Sequence, residues 1–281
     1  MPITNYTPIL KEARERHCMV GAFNALNLEM VQAVTEAADE TGSPLILQCY
    51  CAHLAFSGAD FMRAMYEVAA KKAKTNIAMG LDHGFSYEQS KLCIDNQFTG
   101  VMIDMSSQDI DQNIKETKRV VELAHSRGVS VEAELGIIFT ADATPETIAT
   151  GLTDPAVARR FAQETNVDCL AVSVGTAHGA YSFEPHIHYD LLEALIKEVP
   201  CPIVVHGGSG VSDEDILHMA KLGVAKLNVG TDFFVAYNSA LQAILAQHGP
   251  AADILEVLQT AKQAVKEVAL HKISLFNAYR I

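Results

Sequence analysis

The sequence predicts an α/β protein, a (β/α)8 TIM barrel, and three observations support this fold class. Eight short apolar or β-branched segments alternate with longer amphipathic segments along the chain. Continuously apolar strands separated by helices of ten or more residues are typical of parallel βα units. The length of 281 residues suits one barrel, since such barrels commonly need about 250 residues. We expect residues 1–281 to form a single barrel domain with a C-terminal helical extension.

The predicted strands are short segments rich in apolar or β-branched residues. We place them at residues 18–23, 44–50, 76–82, 99–104, 129–135, 168–173, 201–206 and 225–229. The predicted helices carry apolar residues at helical spacing. We place them at residues 29–41, 60–73, 86–96, 110–127, 153–165, 190–198 and 213–222, followed by a helical tail from about 232 to 275.

Residues of the type that caps helices support three of the helix starts. Ser86, Ser212 and Thr153 each precede an acidic residue or a proline in the first turn of a predicted helix. Residues 136–152 have no clear periodicity. Because loops of this length are often functional, we interpret this segment as a lid.

The composition excludes several classes of partner. The chain has 34 acidic and 21 basic residues, whereas nucleic-acid binding requires a basic face. No secretory signal is visible, and no apolar run approaches the roughly 20 residues that span a bilayer. The six cysteines form no disulfide pattern, which indicates free thiols in a reducing compartment. We therefore expect a cytoplasmic protein that binds neither nucleic acid nor a membrane.

Polar residues lie at or just beyond the C-terminal ends of six consecutive predicted strands. In βα barrels this end of the strands carries the catalytic residues, whereas the opposite end mainly contributes stability. The pattern therefore predicts one active site at this end of the barrel. Its candidate residues are Asp82, His83, Asp104, Glu134, Ser173, His178, His206 and Asn228.

Three of these residues predict a metal site. His83, His178 and His206 each follow a different predicted strand, and each lies beside a glycine that allows close backbone approach. Three neutral imidazoles can hold a divalent metal ion and leave one coordination position open. Zinc suits these ligands better than magnesium or calcium, although other first-row metals also fit by ligand type. We expect one zinc ion per subunit.

Three carboxylates accompany the histidines. Asp82 is adjacent to His83 and is the candidate group for proton transfer. Burial of an unpartnered carboxylate is costly, so Glu134 at a strand end needs a partner. We expect Glu134 and Asp104 to orient a histidine or to contact the metal as secondary ligands.

Two glycine-containing segments predict an anion site. Residues 207–210 follow the seventh predicted strand, and a helix begins near Ser212. Glycine N–H groups and a helix N-terminus together favour a bound phosphate. Residues 228–231 follow the eighth strand, and these two loops form the usual phosphate site of such barrels. Gly208 and Gly230 are therefore included among the predicted substrate contacts.

Two other pairs have simpler explanations than metal binding. We interpret His186 and His188 as part of an exposed turn. Cys49 and Cys51 are placed on one face of the strand 44–50, and we interpret them as packed thiols.

Seven segments together resemble the class II, metal-dependent ketose-bisphosphate aldolases. This family includes the fructose- and tagatose-bisphosphate aldolases. The resemblance runs in order from about residue 3 to residue 276. The segments are 23–29 (FNALNLE), 81–84 (LDHG), 101–104 (VMID), 131–136 (VEAELG), 175–179 (GTAHG), 206–210 (HGGSG) and 226–229 (KLNV).

The resemblance implies a zinc-dependent, reversible retro-aldol cleavage of a phosphorylated ketose to dihydroxyacetone phosphate and an aldehyde. It implies that His83, His178 and His206 bind zinc, that Asp82 moves the proton of the C4 hydroxyl, and that Asn228 contacts the enediolate. A monovalent cation, Na⁺ or K⁺, and a homodimer or homotetramer are further expectations by analogy. The implied phosphate contacts are Gly179, Gly207, Ser209 and Thr231, and the cation would lie near the first two of these residues.

The sequence departs from the family pattern in four places near the expected pocket. In the loop after Gly136 the family's paired glycines are absent, and Asp142 and Glu146 are the candidates to substitute for its acidic residue. Gly230 replaces the aspartate that fructose-specific members tend to carry. These changes predict an altered ketose or aldehyde substrate, nearer the tagatose-type branch. The four places are residues 49–53, 106–112, 137–146 and 230.

Two alternative functions remain open from the residues. One is a barrel metallohydrolase acting on a phosphorylated or acylated small molecule. Such barrels commonly begin with a His-x-His pair at the first strand, whereas residues 21–24 here read Gly-Ala-Phe-Asn. The other is a degenerate aldolase homologue that binds a sugar phosphate as a sensor or scaffold, which only the altered loop 137–146 favours.

Overall fold

A closed barrel of parallel strands forms the centre of the protein, as predicted; the computed structural model describes residues 3–280. The strands are β1 (Ile3–Thr4), β2 (Val20–Asn24), β3 (Leu45–Tyr50), β4 (Ile77–Asp82), β5 (Gly100–Ile103), β6 (Ser130–Leu135), β7 (Cys169–Val172), β8 (Ile203–Val205) and β9 (Lys226–Val229). Strands β2 to β9 pair in sequence order, and β9 pairs with β2 to close the ring. These eight strands correspond to the eight predicted ones, and β1 is a short addition beside β4.

Helices surround the barrel and alternate with its strands. They are α1 (Tyr6–Glu15), α2 (Leu28–Thr41), α3 (Cys51–Ser57), α4 (Ala59–Lys72), α5 (Tyr87–Asp95), α6 (Ile110–His125), α7 (Pro145–Ala149), α8 (Pro155–Thr165), α9 (Tyr189–Glu198), α10 (Asp213–Leu222), α11 (Thr231–His248) and α12 (Ile254–Phe276). Within the described part of the chain, none of them is both long and apolar enough to cross a membrane.

Helix α1 closes the N-terminal end of the barrel, a feature that the predicted elements do not include. Tyr6, Ile9 and Leu10 of α1 are buried in a cluster with side chains from inside the strands. Gly80 and Gly100 make room for this helix, since a Cβ atom on Gly80 would lie 1.9 Å from the hydroxyl oxygen of Tyr6. The C-terminal ends of the strands therefore form the open end of the barrel.

The predicted C-terminal helical tail, from about residue 232 to 275, consists of two helices. Helix α11 ends at His248, and a 3-10 turn follows at Gly249–Ala251. Gly249 has φ +69° and is followed by a proline, so the chain leaves the helical path at this point. Helix α12 then packs against α2 and α11.

Two local predictions are wrong. Ser86 and Ser212 cap their helices as predicted, but the third cap is Asp154, which accepts a hydrogen bond from Val157 N at 2.9 Å. Thr153 is buried instead, and its hydroxyl donates to the carbonyl of Leu135. The prediction that Cys49 and Cys51 share one face of a strand is also wrong, because β3 ends at Tyr50 and Cys51 begins α3.

Candidate active site

Polar side chains fill the C-terminal half of the barrel interior. Alternate residues of a strand face the same side, so Glu132 and Glu134 of β6 both point inward, as do Lys226 and Asn228 of β9. Burial of so many ionisable groups requires extensive mutual pairing. The buried polar residues of this region include Asn24, Gln48, Asp82, His83, Asp104, Glu132, Glu134, His206, Lys226 and Asn228.

Three histidine rings converge at the open end of the barrel. His83 follows β4, His178 lies in the loop after β7, and His206 directly follows β8. The Nε2 atom of His83 lies 3.2 Å from Nε2 of His178 and 3.0 Å from Nδ1 of His206. The last two nitrogens are 3.5 Å apart. The structure thus brings all three predicted metal ligands together.

The spacing of these nitrogens fits a tetrahedral metal site. Zinc–imidazole bonds of about 2.0–2.1 Å in a tetrahedral site place the ligand nitrogens about 3.4 Å apart, and the observed distances of 3.0, 3.2 and 3.5 Å bracket this value. His83 reaches its position with φ +50°, a left-handed conformation that costs a residue other than glycine about 1–3 kcal/mol. Strain of this kind clusters at functional sites.

The electrostatic surroundings favour one positive charge beside the three rings. Burial lowers the pKa of His178 to about 3 and also lowers the pKa of His206, so both imidazoles are neutral, as metal ligands must be. Burial alone would lower the pKa of His83 as well. Its hydrogen bond with Asp104 and the charges of Asp82 and Glu134 outweigh burial and raise that pKa to about 9. A bound metal ion would supply this positive charge in place of the proton.

The carboxylates of Asp104 and Glu134 both face Nδ1 of His83. Asp104 Oδ2 lies 2.9 Å from this nitrogen and Glu134 Oε2 lies 3.9 Å from it. The three side chains form a second group of ligand-type atoms, all within 4.8 Å of one another. Glu134 Oε2 is buried without a hydrogen-bond partner, and burial raises the pKa of Glu134 to about 8. In this arrangement Asp104 orients the His83 ring, and Glu134 is the less constrained of the two carboxyl groups.

Replacing Asp104 with alanine is expected to weaken metal binding about 10- to 100-fold, because the His83 ring would lose the acceptor that fixes its orientation and tautomer. The affinity can be measured by competition with a metal-binding dye. Asp111→Ala is a suitable control, since the side chain of Asp111 is 79% exposed and forms a salt bridge with Arg160 on the surface. Equal metal affinities of the two variants would contradict this orienting role.

Asp82 is held from two sides by amides. Asn24 Nδ2 donates to Asp82 Oδ2 at 2.7 Å, and Asn228 Nδ2 donates to Oδ1 at 2.9 Å. Burial raises the pKa of this carboxyl, but the charge of His83, the Asn24 hydrogen bond and the charge of Lys226 outweigh it, so the pKa lies below its ordinary value. Asp82 is therefore an ionised, oriented carboxylate in the wall of the cavity.

Four buried polar residues beneath the site carried no predicted role. Glu132 Oε1 lies 2.7 Å from His206 Nε2, and Lys226 Nζ lies 2.8 Å from Glu132 Oε2. Gln48 Nε2 donates to Asn24 Oδ1 at 2.8 Å and so supports the amide that holds Asp82. The sequence contains a signal for two of these residues, because Glu132 and Lys226 each lie two positions before a predicted site residue and share its face of the strand.

The predicted phosphate residues lie on one side of the same cavity. Ser209 Oγ accepts hydrogen bonds from the backbone N–H of Gly230 at 3.2 Å and of Asp232 at 3.1 Å, at the start of α11. Gly208 lies outside the cavity lining, and a Cβ atom there would lie 2.7 Å from the Leu227 side chain. The predicted residues that line the cavity are Gly179, Gly207, Ser209, Asn228, Gly230 and Thr231.

Tyr181 connects the two loops that carry these glycines. Its hydroxyl accepts a hydrogen bond from Ala177 N at 2.7 Å and donates to the carbonyl of Gly207 at 3.0 Å. The positive φ values of Gly179 and Gly207, +103° and +70°, suit only glycine without strain. The sequence offered no specific signal for this tyrosine.

The loop predicted as a lid packs against the loop that carries His178. His178 N donates to Phe139 O at 2.8 Å, and Ala141 N donates to His178 O at 2.7 Å. Thr140 lines the cavity, whereas Asp142 and Glu146 are exposed and lie outside its lining. Neither acidic residue therefore takes the place of a cavity carboxylate in this conformation. The role of residues 136–152 as a lid stays a prediction.

The ring centroids of His186 and His188 lie 4.8 Å apart. Within residues 3–280, two clusters of side chains could hold a metal ion. Both contain His83, and neither contains His186 or His188. The simpler interpretation of the pair is therefore retained.

Comparisons with known proteins agree with this geometry. The family model for class-II fructose-bisphosphate aldolase matches residues 4–280. A fructose-bisphosphate aldolase of Thermus caldophilus is 38% identical over 96% of this chain and 96% of its own length. A probable fructose-bisphosphate aldolase of Bacillus subtilis is 36% identical over 99% of each chain. These similarities favour the aldolase interpretation over a barrel metallohydrolase.

A solved structure supports the same relationship. The YdjI aldolase from Escherichia coli K12 superimposes with a TM-score of 0.86 at 32% identity, over 98% of this chain and 97% of that chain. A putative fructose-1,6-bisphosphate aldolase from Coccidioides immitis has a TM-score of 0.85 at 24% identity, and this second likeness concerns the fold alone.

Proposed function

The chain belongs to the class II fructose-bisphosphate aldolase family and is a carbon–carbon lyase that performs a retro-aldol cleavage, and we propose that its metal is zinc and its substrate a phosphorylated ketose. The class of substrate includes tagatose and fructose bisphosphates, and the products are dihydroxyacetone phosphate and an aldehyde. The convergence of three imidazole nitrogens beside the ionised Asp82 is the observation that carries this proposal.

His83, His178 and His206 hold the zinc ion in this proposal. The ion, when bound, acts as a Lewis acid that polarises the C2 carbonyl of the ketose. Asp104 keeps the His83 ring in place through Nδ1. Glu134, with its unpartnered oxygen, either supports the same ring or contacts the metal as a further ligand.

Asp82 performs the proton transfer that accompanies cleavage. Its carboxylate accepts the proton of the C4 hydroxyl, the C3–C4 bond breaks, and C4 becomes the carbonyl carbon of the aldehyde. The electron pair of the broken bond stays with C3 and forms the enediolate, which a proton then converts to dihydroxyacetone phosphate. Asn228 donates to Asp82 in the described structure and is placed to contact the enediolate.

The glycine loops hold the phosphate of the dihydroxyacetone half. Gly179, Gly207 and Ser209 lie on the same side of the cavity as Thr231, with which α11 begins. Exposed N–H groups and the positive end of the helix dipole favour a dianion there. A monovalent cation, Na⁺ or K⁺, near Gly179 and Gly207 is part of the proposal, as is a cytoplasmic homodimer or homotetramer with one zinc ion per subunit.

Removal of the metal tests the proposed function. Purified protein treated with a chelator is expected to stop releasing dihydroxyacetone phosphate from ketose phosphates, and added zinc is expected to restore the release. Activity can be followed by coupled reduction of dihydroxyacetone phosphate. In deuterated water, the metal-replete enzyme should also exchange a C3 proton of dihydroxyacetone phosphate for deuterium without any aldehyde present. Absence of both activities in a metal-replete preparation would refute the proposal.

A further inference from the structure

We propose that the cavity binds the end of the substrate opposite the phosphate loops as an uncharged, hydroxylated chain, so that the preferred substrate is a ketose monophosphate and the aldehyde product carries no phosphate. This inference rests on the proposed aldolase function and specifies its substrate. It assigns His53, Tyr50, Phe85 and Phe234 as the residues that determine specificity for the aldehyde half.

The two sides of the cavity come from opposite sectors of the barrel. The phosphate loops follow β7, β8 and β9, whereas Tyr50 ends β3, His53 lies on α3 and Phe85 follows β4. Strands β3 and β4 face β7 and β8 across the ring of eight. A ketose held by its phosphate at the glycine loops and by its carbonyl near the histidines must extend its other end toward β3 and β4.

Aromatic rings form the wall at that end. Tyr50 lies with its ring centroid 5.7 Å from His53 and 6.3 Å from Phe85, and His53 lies 5.7 Å from Phe234. Phe85 in turn stacks on the His83 ring, with centroids 5.8 Å apart. A chain of ring contacts therefore links His83 to Phe234 in the first turn of α11. Such a surface buries the apolar faces of a carbon chain.

A second phosphate would have no cationic partner at this wall. Among residues 3–280, the cavity lining contains no lysine or arginine, while two of its residues, Asp82 and Asp104, are carboxylates whose pKa values lie below the ordinary value. Phosphates are usually recognised by arginine or lysine side chains. Lys226 is buried in its ion pair with Glu132 and lies outside the cavity lining. A dianion here would face carboxylates and the negative faces of aromatic rings.

His53 supplies the polar contact that an uncharged sugar chain needs. Its imidazole lines the cavity and is partly exposed. The ring is fixed between Tyr50 and Phe234 by two edge-to-face contacts. A hydroxyl of the aldehyde half can hydrogen-bond with the imidazole of His53, which adds no charge to the substrate.

The test compares aldehydes with and without a terminal phosphate in the condensation direction. Metal-replete full-length enzyme is given dihydroxyacetone phosphate with glyceraldehyde or glyceraldehyde 3-phosphate, and with erythrose or erythrose 4-phosphate. We expect kcat/KM for the unphosphorylated member of each pair to be higher by at least about tenfold. A preference for the phosphorylated aldehydes would overturn the inference. This holds even if the preference comes from a cationic side chain of a second copy of the chain. Failure of all four aldehydes would also overturn the inference.

Deuterium exchange into dihydroxyacetone phosphate separates this inference from the proposed function. The exchange requires no aldehyde, so its absence would refute the aldolase proposal itself. If the exchange occurs but phosphorylated aldehydes are preferred or no aldehyde reacts, only the inference about the distal end fails.

Variants of His53 test the assigned residue. His53→Asn is expected to raise KM for the unphosphorylated aldehyde by about tenfold with a smaller change in kcat, because one hydrogen bond to the substrate is lost. His53→Arg is expected to shift selectivity toward the phosphorylated aldehydes by about tenfold or more. Phe56→Ser is the control, since Phe56 lies on the same helix, is 93% exposed and does not line the cavity. Unchanged selectivity and KM in both His53 variants would overturn the assignment.

Discussion

Replacing Asp82 with alanine is expected to lower kcat about 10²- to 10⁴-fold, the range in which a positioned general base contributes to catalysis. Asp82 is the cavity carboxylate that two amides orient, and its pKa lies below the ordinary value despite burial, so it is available as a base near neutral pH. The turnover number can be measured from the release of dihydroxyacetone phosphate.

The metal content of the Asp82→Ala variant is expected to stay at the wild-type level. Asp82 Oδ1 is 3.9 Å from His83 Nε2, whereas the orientation of that ring depends on Asp104 at 2.9 Å. Atomic emission of the purified protein measures the content directly. Asp82→Asn is the matched variant, because it keeps the size of the side chain but removes its negative charge, its ability to accept a proton and one of the two amide hydrogen bonds. Near-normal turnover of either variant would remove Asp82 from the mechanism.

The location of the site could be predicted because barrel geometry converts sequence order into proximity. His83, His178 and His206 are far apart in the chain, but each follows a strand, and the C-terminal ends of parallel strands meet at one end of a barrel. Eight strongly apolar segments made the strand positions clear, and hence the convergence of the residues that follow them. The distances among the rings required the structure.

The supporting residues beneath the site were harder to predict, because their partners are distant in sequence and invisible to local patterns. Glu132 and Lys226 are 94 positions apart, and although spacing within each strand places both on the inner face, no local pattern shows that they pair with each other. The aromatic wall was also not predicted, although the segment 49–53 was recognised as unusual. Its function depends on Phe234, which the fold brings to His53 from another sector of the barrel.

Strand β1 and helix α1 were not predicted, for different reasons. Strand β1 has two residues, which is too short to show an alternating pattern, and its pairing with β4 is a tertiary contact. Helix α1 contributes to the core through Tyr6, whose space depends on Gly80 and Gly100 in distant strands. The helix itself follows an ordinary amphipathic pattern, since its buried residues are Tyr6, Ile9, Leu10 and Ala13, so its existence could have been predicted from the sequence, whereas its position beneath the barrel depends on the closed ring.

Replacing Lys226 with methionine is expected to destabilise the protein by about 3–5 kcal/mol, because removal of one partner leaves an uncompensated buried charge. The Lys226 and Glu132 side chains are only 1% and 2% exposed, and their charged atoms lie 2.8 Å apart. Burial raises the pKa of Glu132, but the Lys226 charge and the hydrogen bond with His206 outweigh it and lower the pKa to about 2. The carboxylate therefore stays ionised at neutral pH and depends on the lysine.

The free energy of unfolding should be measured by denaturant titration of metal-free protein, so that changes in metal binding do not contribute. Combining Lys226→Met with Glu132→Gln is expected to cost less than the sum of the two single changes, because the double variant contains no unpaired buried charge. Lys266→Met is the control; Lys266 pairs with Glu40, which is 54% exposed, and surface pairs contribute about 0–1 kcal/mol. If Lys226→Met were no more destabilising than Lys266→Met, the buried pair would have no role in stability, and the Glu132 carboxylate would be held by His206 alone.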